Sequence, residues 1–341
     1  VSRNSPTCGG LPCRALSTTI RSEEHAMQIA ILGAGAMGSF FGGRLALAGH
    51  SVSLLDIDDA HLASIRSHGL RLSTDSGEQI VRNLVALRPE EAGEPVDLVI
   101  VFTKTMHTTA ALAAASAVLG PDTVILSLQN GLGNAERLAR SVSPDRVMVG
   151  VTTWPADKSE PGAVSSHGQG TIRLMNANGT HTSALEQTVH TLNDAGLSCH
   201  VDPDVWAAIW EKVAFNAALN SLCAVTQCTV GELTNTPDGE ELALKIVSEV
   251  MAVARALGIS ASEAHVASNV RDALAHHRTH RPSMLQDVLA GRRTEIEAIN
   301  GAVVEAARKA GVAVPYTNSL ACLVRLVDAR TRQSGGATAR H

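Results

Sequence analysis

The chain has 341 residues, 45% of them hydrophobic and 18% charged, enough apolar material for one large or two medium cores and too ordered a composition for gross disorder. A net charge of −5 and 2% aromatics leave no basic footprint for nucleic acid or an anionic membrane and few platforms for base stacking. No apolar run reaches the roughly 18 residues that span a bilayer, and six cysteines without a C-x-x-C pair read as reduced thiols of a cytoplasmic protein.

Residues 1–26, "VSRNSPTCGGLPCRALSTTIRSEEHA", are rich in Ser, Arg and Gly and show no periodicity. They read as a disordered leader, an upstream start (Val1 fits a translated GTG codon) or a transit peptide, and the fold is expected to begin at Met27. The next 30 residues or so alternate in kind. Residues 27–32 form a short apolar strand, and Gly33, Gly35 and Gly38 stand at the turn that follows. A helix then runs to about Ala48 with Gly49 as its stop, and a second strand resumes at Val52. This βαβ context is what makes G-x-G-x-x-G informative. Gly33 permits the tight turn, Gly35 lets the backbone approach a pyrophosphate, and Gly38 lets helix and strand pack. Ala34, Ala36 and Met37 complete the loop, whose free N–H groups and helix dipole favour phosphate.

The second strand ends in "LLDIDD". Asp56 lies about 20 residues past the glycine turn, where a carboxylate accepts the ribose hydroxyls of NAD and repels a 2′-phosphate. NAD is therefore the expected cofactor, with NADP possible through Lys104 or a distant arginine. Asp58 or Asp59 is expected to cap the helix that follows. Farther on, a pair of short antiparallel strands is expected around Ser76 and Gly77. "VDLVIVFTK", "TVILSLQNG", "RVMVGVTTWPA", "GAVSSHG", "GTIRLMN" and "LSCHVD" read as strands, separated by the helices of "TTAALAAASAVLG" and "ALEQTVHTLNDAG". Thr152, Thr153 and Trp154 end a strand, either lining a pocket or packing the sheet.

After Pro203 the pattern is helical to about residue 330. Strands followed by helices imply an α/β domain over 27–203, an all-α domain over 204–330 and a disordered tail over 331–341. In the helix starting near Val205, Lys212, Asn216 and Asn220 fall at i, i+4 and i+8, one polar stripe on an otherwise apolar helix. The stripe is either a solvated face or the wall of a polar cleft. In a cleft, desolvation would lower the lysine's pKa and make it a proton donor. Ser283 and Glu295 are the candidates in "RPSMLQDVLAGRRTEIEAINGAVV", though Glu295 equally suits a helix N-terminus by charge alone. His276, His277 and His280 lack an acid or cysteine to complete a metal set, so no metal is expected. Cys223 and Cys228 read as core thiols.

Five stretches, "GAGAMGSFFGGRLALAGH", "QNGLGNAERL", "WEKVAFNAALNSLCAV", "SMLQDVLAGRRTEIEAINGAVV" and "GVAVPYTNSL", resemble the ketopantoate reductase (2-dehydropantoate 2-reductase) family in order and over roughly residues 27–330. The resemblance implies a Rossmann-type domain joined to a helical domain like that of 6-phosphogluconate dehydrogenase, with the site between them. It implies hydride transfer from reduced nicotinamide to a 2-oxo acid, a small-molecule substrate. Lys212 matches the family's general acid, and Glu295 the glutamate that holds substrate hydroxyl and lysine. Asn216, Asn220 and Ser283 match substrate contacts. Asn130 matches an asparagine near the nicotinamide and lysine, and Lys104 a lysine near the cofactor. The family includes monomers and dimers, so a homodimer is possible. Family members commonly use NADPH, and Asp56 departs from that pattern. Three readings stay open: a ketopantoate reductase, a relative acting on another oxo or hydroxy acid, and a nucleotide-binding regulator without turnover.

Overall fold

A computed structural model describes residues 1–2 and 26–338, with the side chains of 331–338 excepted. Residues 3–25 of the expected leader and 339–341 of the expected tail lie outside the described residues.

The chain opens with β1 (Gln28–Leu32), α1 (Ala36–Leu47), β2 (Ser51–Leu55), α2 (Asp59–His68), β3 (Leu70–Thr74), β4 (Gly77–Val81) and β5 (Leu84–Leu87). It continues through β6 (Leu98–Val101), α3 (Thr108–Ala114), β7 (Val124–Ser127), α4 (Asn134–Leu138), β8 (Val147–Thr152), β9 (Asp157–Glu160), β10 (Ala163–Ser166), β11 (Ile172–Asn176), α5 (Ser183–Asp194) and β12 (Cys199–Val201). Eight strands form one sheet in the order β12-β11-β8-β7-β6-β1-β2-β5. β1, β2, β5, β6, β7 and β8 run parallel, and β11 runs antiparallel to β8. β1 lies at the centre, buried from Ile29 to Leu32 by apolar side chains that no solvent-facing alternation interrupts. The strand order reverses about β1, so the crevice at its carboxyl end is the place where a doubly wound sheet receives a ligand. The glycine turn stands there.

Four further strands form a separate sheet, β4-β3-β10-β9. The expected antiparallel pair around Ser76 and Gly77 is its β3–β4 hairpin. β9 has no apolar alternation, since all four of its residues are exposed. It exists because it pairs with β10, whose Ala163, Val164 and Ser166 are buried.

From residue 205 the chain is helical: α6 (Val205–Thr226), α7 (Pro237–Ala256), α8 (Glu263–His276), α9 (Ser283–Leu289), α10 (Ala302–Ala310) and α11 (Pro315–Thr338). α6 is the central rod. Fifteen of its 22 residues are buried, so it has apolar neighbours on nearly every side. α11 corrects the expected disordered tail, because the helix continues to Thr338. Ala329, Arg330, Arg332 and Gln333 are good helix formers that carry the register past residue 330.

Candidate active site

A cleft of about 800 Å³ separates the glycine turn from the helical elements. Gly35, Ala36, Met37 and Gly38 line one side, and Lys212, Asn216, Asn220, Ser283 and Glu295 line the other. Lys104 and Asn130 stand between them, at the ends of the strands that carry "FTK" and "QNG". The polar stripe on α6 is therefore a cleft wall rather than a solvated face.

The three glycines of the turn have different reasons to be there. A Cβ on Gly33, whose φ is +99°, would sit 2.5 Å from the Thr103 backbone nitrogen. A Cβ on Gly38 would sit 1.9 Å from the Gly33 carbonyl oxygen. Both are demanded by the protein's own packing. A Cβ on Gly35 would meet nothing within 4 Å among the described residues beyond its chain neighbours and its own helix. Gly35 also has an ordinary negative φ of −65°, so nothing in the chain itself requires glycine there. The open space at Gly35, at the start of a 12-residue helix with no acid in its first turn, fits a pyrophosphate approaching backbone N–H groups.

Asp56 follows β2 and is half-buried, but it is not among the residues lining the cleft. Its Oδ1 accepts from the Ile57 and Asp58 backbone N–H groups at 2.7 and 3.0 Å. This fixes the carboxylate beside the turn. Of its two acidic neighbours, Asp58 is the helix cap, accepting from the His61 N–H and pairing with Lys158. Asp59 is held by two Arg88 contacts at 2.9 and 2.8 Å.

On the helical side, Lys212 donates through Nζ to the Thr152 carbonyl at 3.0 Å. Thr152 thus serves the cleft as well as the sheet. Burial pushes the Lys212 ammonium down to about 8, while the Glu295 carboxylate opposes that fall. Glu295 lies just before a π-helical turn at Glu297–Gly301. Its Oε1 accepts from both the backbone N–H and Oγ1 of Thr105, each at 2.9 Å. Helix-dipole stabilisation is therefore only part of its environment: the carboxylate ties the helical region to the loop after β6.

Asn216 and Asn220 are 8% and 5% exposed. Among the described residues neither amide has a hydrogen-bond partner, although both line the cleft. Their amide atoms are open to the cleft rather than sealed in the core, so these two present unused donors and acceptors to whatever fills the space. α6 is held in place by Ser221, which donates to Asn300 Oδ1 at 2.7 Å, while Asn300 Nδ2 donates to the Ala217 carbonyl at 3.1 Å. That buried link locks α6 to the π-helical turn and so sets Asn216 and Asn220 relative to Glu295. Gly131 provides the matching link from the sheet. With φ of +85° it lets the loop approach Ala298, whose carbonyl accepts the Leu132 N–H at 2.8 Å.

Lys104 is paired more tightly than expected. Its Nζ lies 2.6 Å from Asp287 Oδ1 and donates to the Arg293 carbonyl at 3.1 Å. Arg292 also reaches Asp287, at 3.0 Å. Asp287, Arg292 and Thr105 carry no motif of their own; only their proximity in the fold marks them. The same is true of Glu211, His265 and Asn269 at the cleft's far end, joined by contacts of 3.1 and 3.2 Å. Cys223 is a buried core thiol, raised to about 12 by desolvation, and Cys228 is half-buried beyond the helix end. His276 ends α8 and meets Asp272. Among the described residues no group of three His, Cys, Asp or Glu is placed to hold a metal, and no helix is long and apolar enough to cross a membrane.

The model of the family "Ketopantoate reductase PanE/ApbA" matches residues 29–179, and that of its C-terminal part matches 204–328. The chain belongs to the ketopantoate reductase family. It is accordingly an NAD(P)-dependent oxidoreductase. A curated 2-dehydropantoate 2-reductase of Halobacterium salinarum is 36% identical over 306 residues, covering 89% of this chain and 99% of the relative. Another from Streptococcus pyogenes serotype M3 is 34% identical over 304 residues, covering 89% and 98%. Among solved structures, a ternary complex of D-mandelate dehydrogenase with NADH and anilino(oxo)acetate superposes with a TM-score of 0.85 at 32% identity. It covers 90% of this chain and all of the other. The family likeness thus spans both the sheet and the helical region.

Proposed function

We propose that this protein reduces a 2-oxo acid to the 2-hydroxy acid, with ketopantoate as the default substrate, NADH as the preferred reductant and Lys212 as the general acid. The observation that carries this reading is the Lys212 ammonium, desolvated to a pKa of about 8 in a cleft that faces the glycine turn. A donor with that pKa is charged at neutral pH yet gives up its proton readily.

The bound reduced nicotinamide supplies the hydride. Lys212 donates a proton to the carbonyl oxygen as negative charge grows there, and its own charge stabilises that oxygen beforehand. Glu295, fixed by Thr105, keeps the lysine protonated and accepts from a substrate hydroxyl. Asn216, Asn220 and Ser283 orient the acid, and burial of the two asparagines means that little freedom is lost on binding. Asn130 lies between the turn and Lys212. The N–H groups at Gly35–Gly38 receive the pyrophosphate, Asp56 the adenosine ribose, and Lys104 the cofactor's edge once it exchanges partners with Asp287. We place the boundary between the nucleotide and substrate domains near residue 203, in the linker between β12 and α6.

The test is a steady-state assay of ketopantoate against each nucleotide, NADH and NADPH. Absence of turnover with both rejects ketopantoate. A second substrate reading is favoured by Asp56 together with the NADH-bound D-mandelate dehydrogenase likeness: an aryl-substituted 2-oxo acid. Running phenylglyoxylate beside ketopantoate, and mandelate in reverse, separates the two by kcat/KM.

A further inference from the structure

His61 is fully buried in α2 and is not among the residues lining the cleft. Its two ring nitrogens are both engaged. Nδ1 accepts the Gly162 backbone N–H at 2.9 Å. A backbone N–H can only donate, so Nδ1 carries no proton, and in the neutral ring the proton sits on Nε2. Nε2 lies 2.9 Å from Ser39 Oγ and donates to it. Ser39, in turn, donates to the Ala34 carbonyl at 2.8 Å. The chain Gly162, His61, Ser39, Ala34 therefore has one direction throughout, and its central side chains are buried.

Its last acceptor belongs to the glycine turn. In a trans peptide the C=O and N–H point in opposite directions. With the Ala34 carbonyl drawn inward to Ser39, the N–H of the same peptide, that of Gly35, is turned outward. Gly35 lines the cleft, and its N–H has no partner among the described residues. We propose that Ser39 and His61 are positioning residues for the dinucleotide phosphates, acting through the Ala34–Gly35 peptide. This rests on the reading of the glycine turn as the dinucleotide site.

The second sheet gains a purpose from this. Gly162 sits in the β9–β10 hairpin with φ of +79°, and a Cβ there would meet the Ser64 hydroxyl of α2 at 2.3 Å. The hairpin is thus pressed against α2, and its carbonyl accepts the Arg71 N–H of β3 at 2.8 Å. The small sheet braces His61 from behind, and His61 braces the turn. Desolvation and the nearby Lys158 hold the His61 pKa below its usual value, against the opposing pull of Asp58 and Asp56. The ring stays in the neutral form that the relay needs.

The experiment measures NADH and NADPH affinity by calorimetry, kcat at saturating nucleotide and thermal stability, in wild type, Ser39→Ala, His61→Phe and His61→Gln. Ser39→Ala and His61→Phe should weaken the preferred nucleotide about five- to tenfold, the scale of one neutral hydrogen bond, with kcat nearly unchanged. His61→Gln keeps a donor for Ser39 and an acceptor for Gly162, and should bind nearly as wild type does. Wild-type affinity in Ser39→Ala, a small change that leaves the fold intact, overturns the proposal even if His61→Phe fails to fold. So does a loss confined to kcat. A wild type that binds neither nucleotide rejects the dinucleotide reading itself, a result distinct from either.

Discussion

The glycine turn and the α6 wall face one another across the cleft, and they are built on opposite plans. At the turn the working groups are backbone N–H groups, and the side chains matter by being absent. On α6 the backbone is sealed inside a helix, and Lys212, Asn216 and Asn220 do the presenting. On the proposed reading the turn recognises a part common to all its ligands, a pyrophosphate. On the same reading the wall must match one substrate and carry one proton. A site of the first kind tolerates changes nearby as long as the chain path survives; one of the second kind fails with a single side chain.

The contrast breaks most visibly at Lys212. Lys212→Ala should lower kcat for reduction by about two to four orders of magnitude, the usual worth of a positioned acid, while NADH affinity changes by less than about twofold. Calorimetry beside steady-state kinetics reads both. If affinity falls instead, the wall also holds the dinucleotide, and the division of labour is wrong.

At the turn the paired substitutions Gly35→Val and Gly38→Ala should separate ligand demand from packing demand. Apart from its chain neighbours and its own helix, no described residue lies within 4 Å of a Cβ at Gly35. Gly35→Val should therefore keep its melting temperature and lose about tenfold or more in nucleotide affinity. Gly38→Ala places a methyl 1.9 Å from the Gly33 carbonyl oxygen and should cost about 1–3 kcal/mol of stability as an overpacked site. Denaturation with and without nucleotide distinguishes them. Equal destabilisation of the two would erase the distinction.

The two regions also differed in how far they could be read from sequence. The turn's signal is local: strand, glycines, helix and Asp56 fall within about 30 residues, and each spacing has a backbone reason. On α6, the 3.6-residue period put Lys212, Asn216 and Asn220 on one stripe, but could not say whether it faced water or a cleft. Glu295 lies far along the chain, and the charge pattern alone left it as a helix-end carboxylate. Family resemblance set it beside Lys212; Thr105, which holds it, carries no pattern at all. The second sheet was half hidden: its β3–β4 hairpin was expected, but β9 and the pairing of β10 with β3 were not. The β9 residues are polar and exposed, and alternation marks a strand without naming its partner. The Ser39–His61 relay depends on that partner, so no local reading reaches it.

Asp56 tests the turn's side of the comparison at a side chain rather than the backbone. Asp56→Arg should move the ratio of NADPH to NADH efficiency by about tenfold toward NADPH, equal to about 1.4 kcal/mol of differential binding. Measuring kcat/KM with each nucleotide decides it. A wild type already favouring NADPH would assign the ribose contact elsewhere.

The smallest effect concerns how Glu295 tunes the wall. With Lys212 near 8, it is charged below that pH and neutral above it. A general acid must be protonated, so reductive kcat/KM should fall as pH rises through about 8. Oxidation of the hydroxy acid needs the neutral amine and should rise through the same window. The Glu295 carboxylate raises the lysine's pKa against the larger effect of burial. Glu295→Gln removes the charge but leaves an amide oxygen to accept from Thr105, so the tie between the helical region and the loop after β6 survives. Without the carboxylate, burial acts unopposed, and the midpoint of both profiles should move to lower pH, by about one unit or less for a partly screened pair. Reduction by this variant should therefore fade earlier on the alkaline side, and oxidation should begin earlier. Profiles recorded in both directions, at saturating nucleotide, give the shift. A midpoint that stays in place would mean that some other group sets the titration, and an upward shift would contradict the sign of the Glu295 effect.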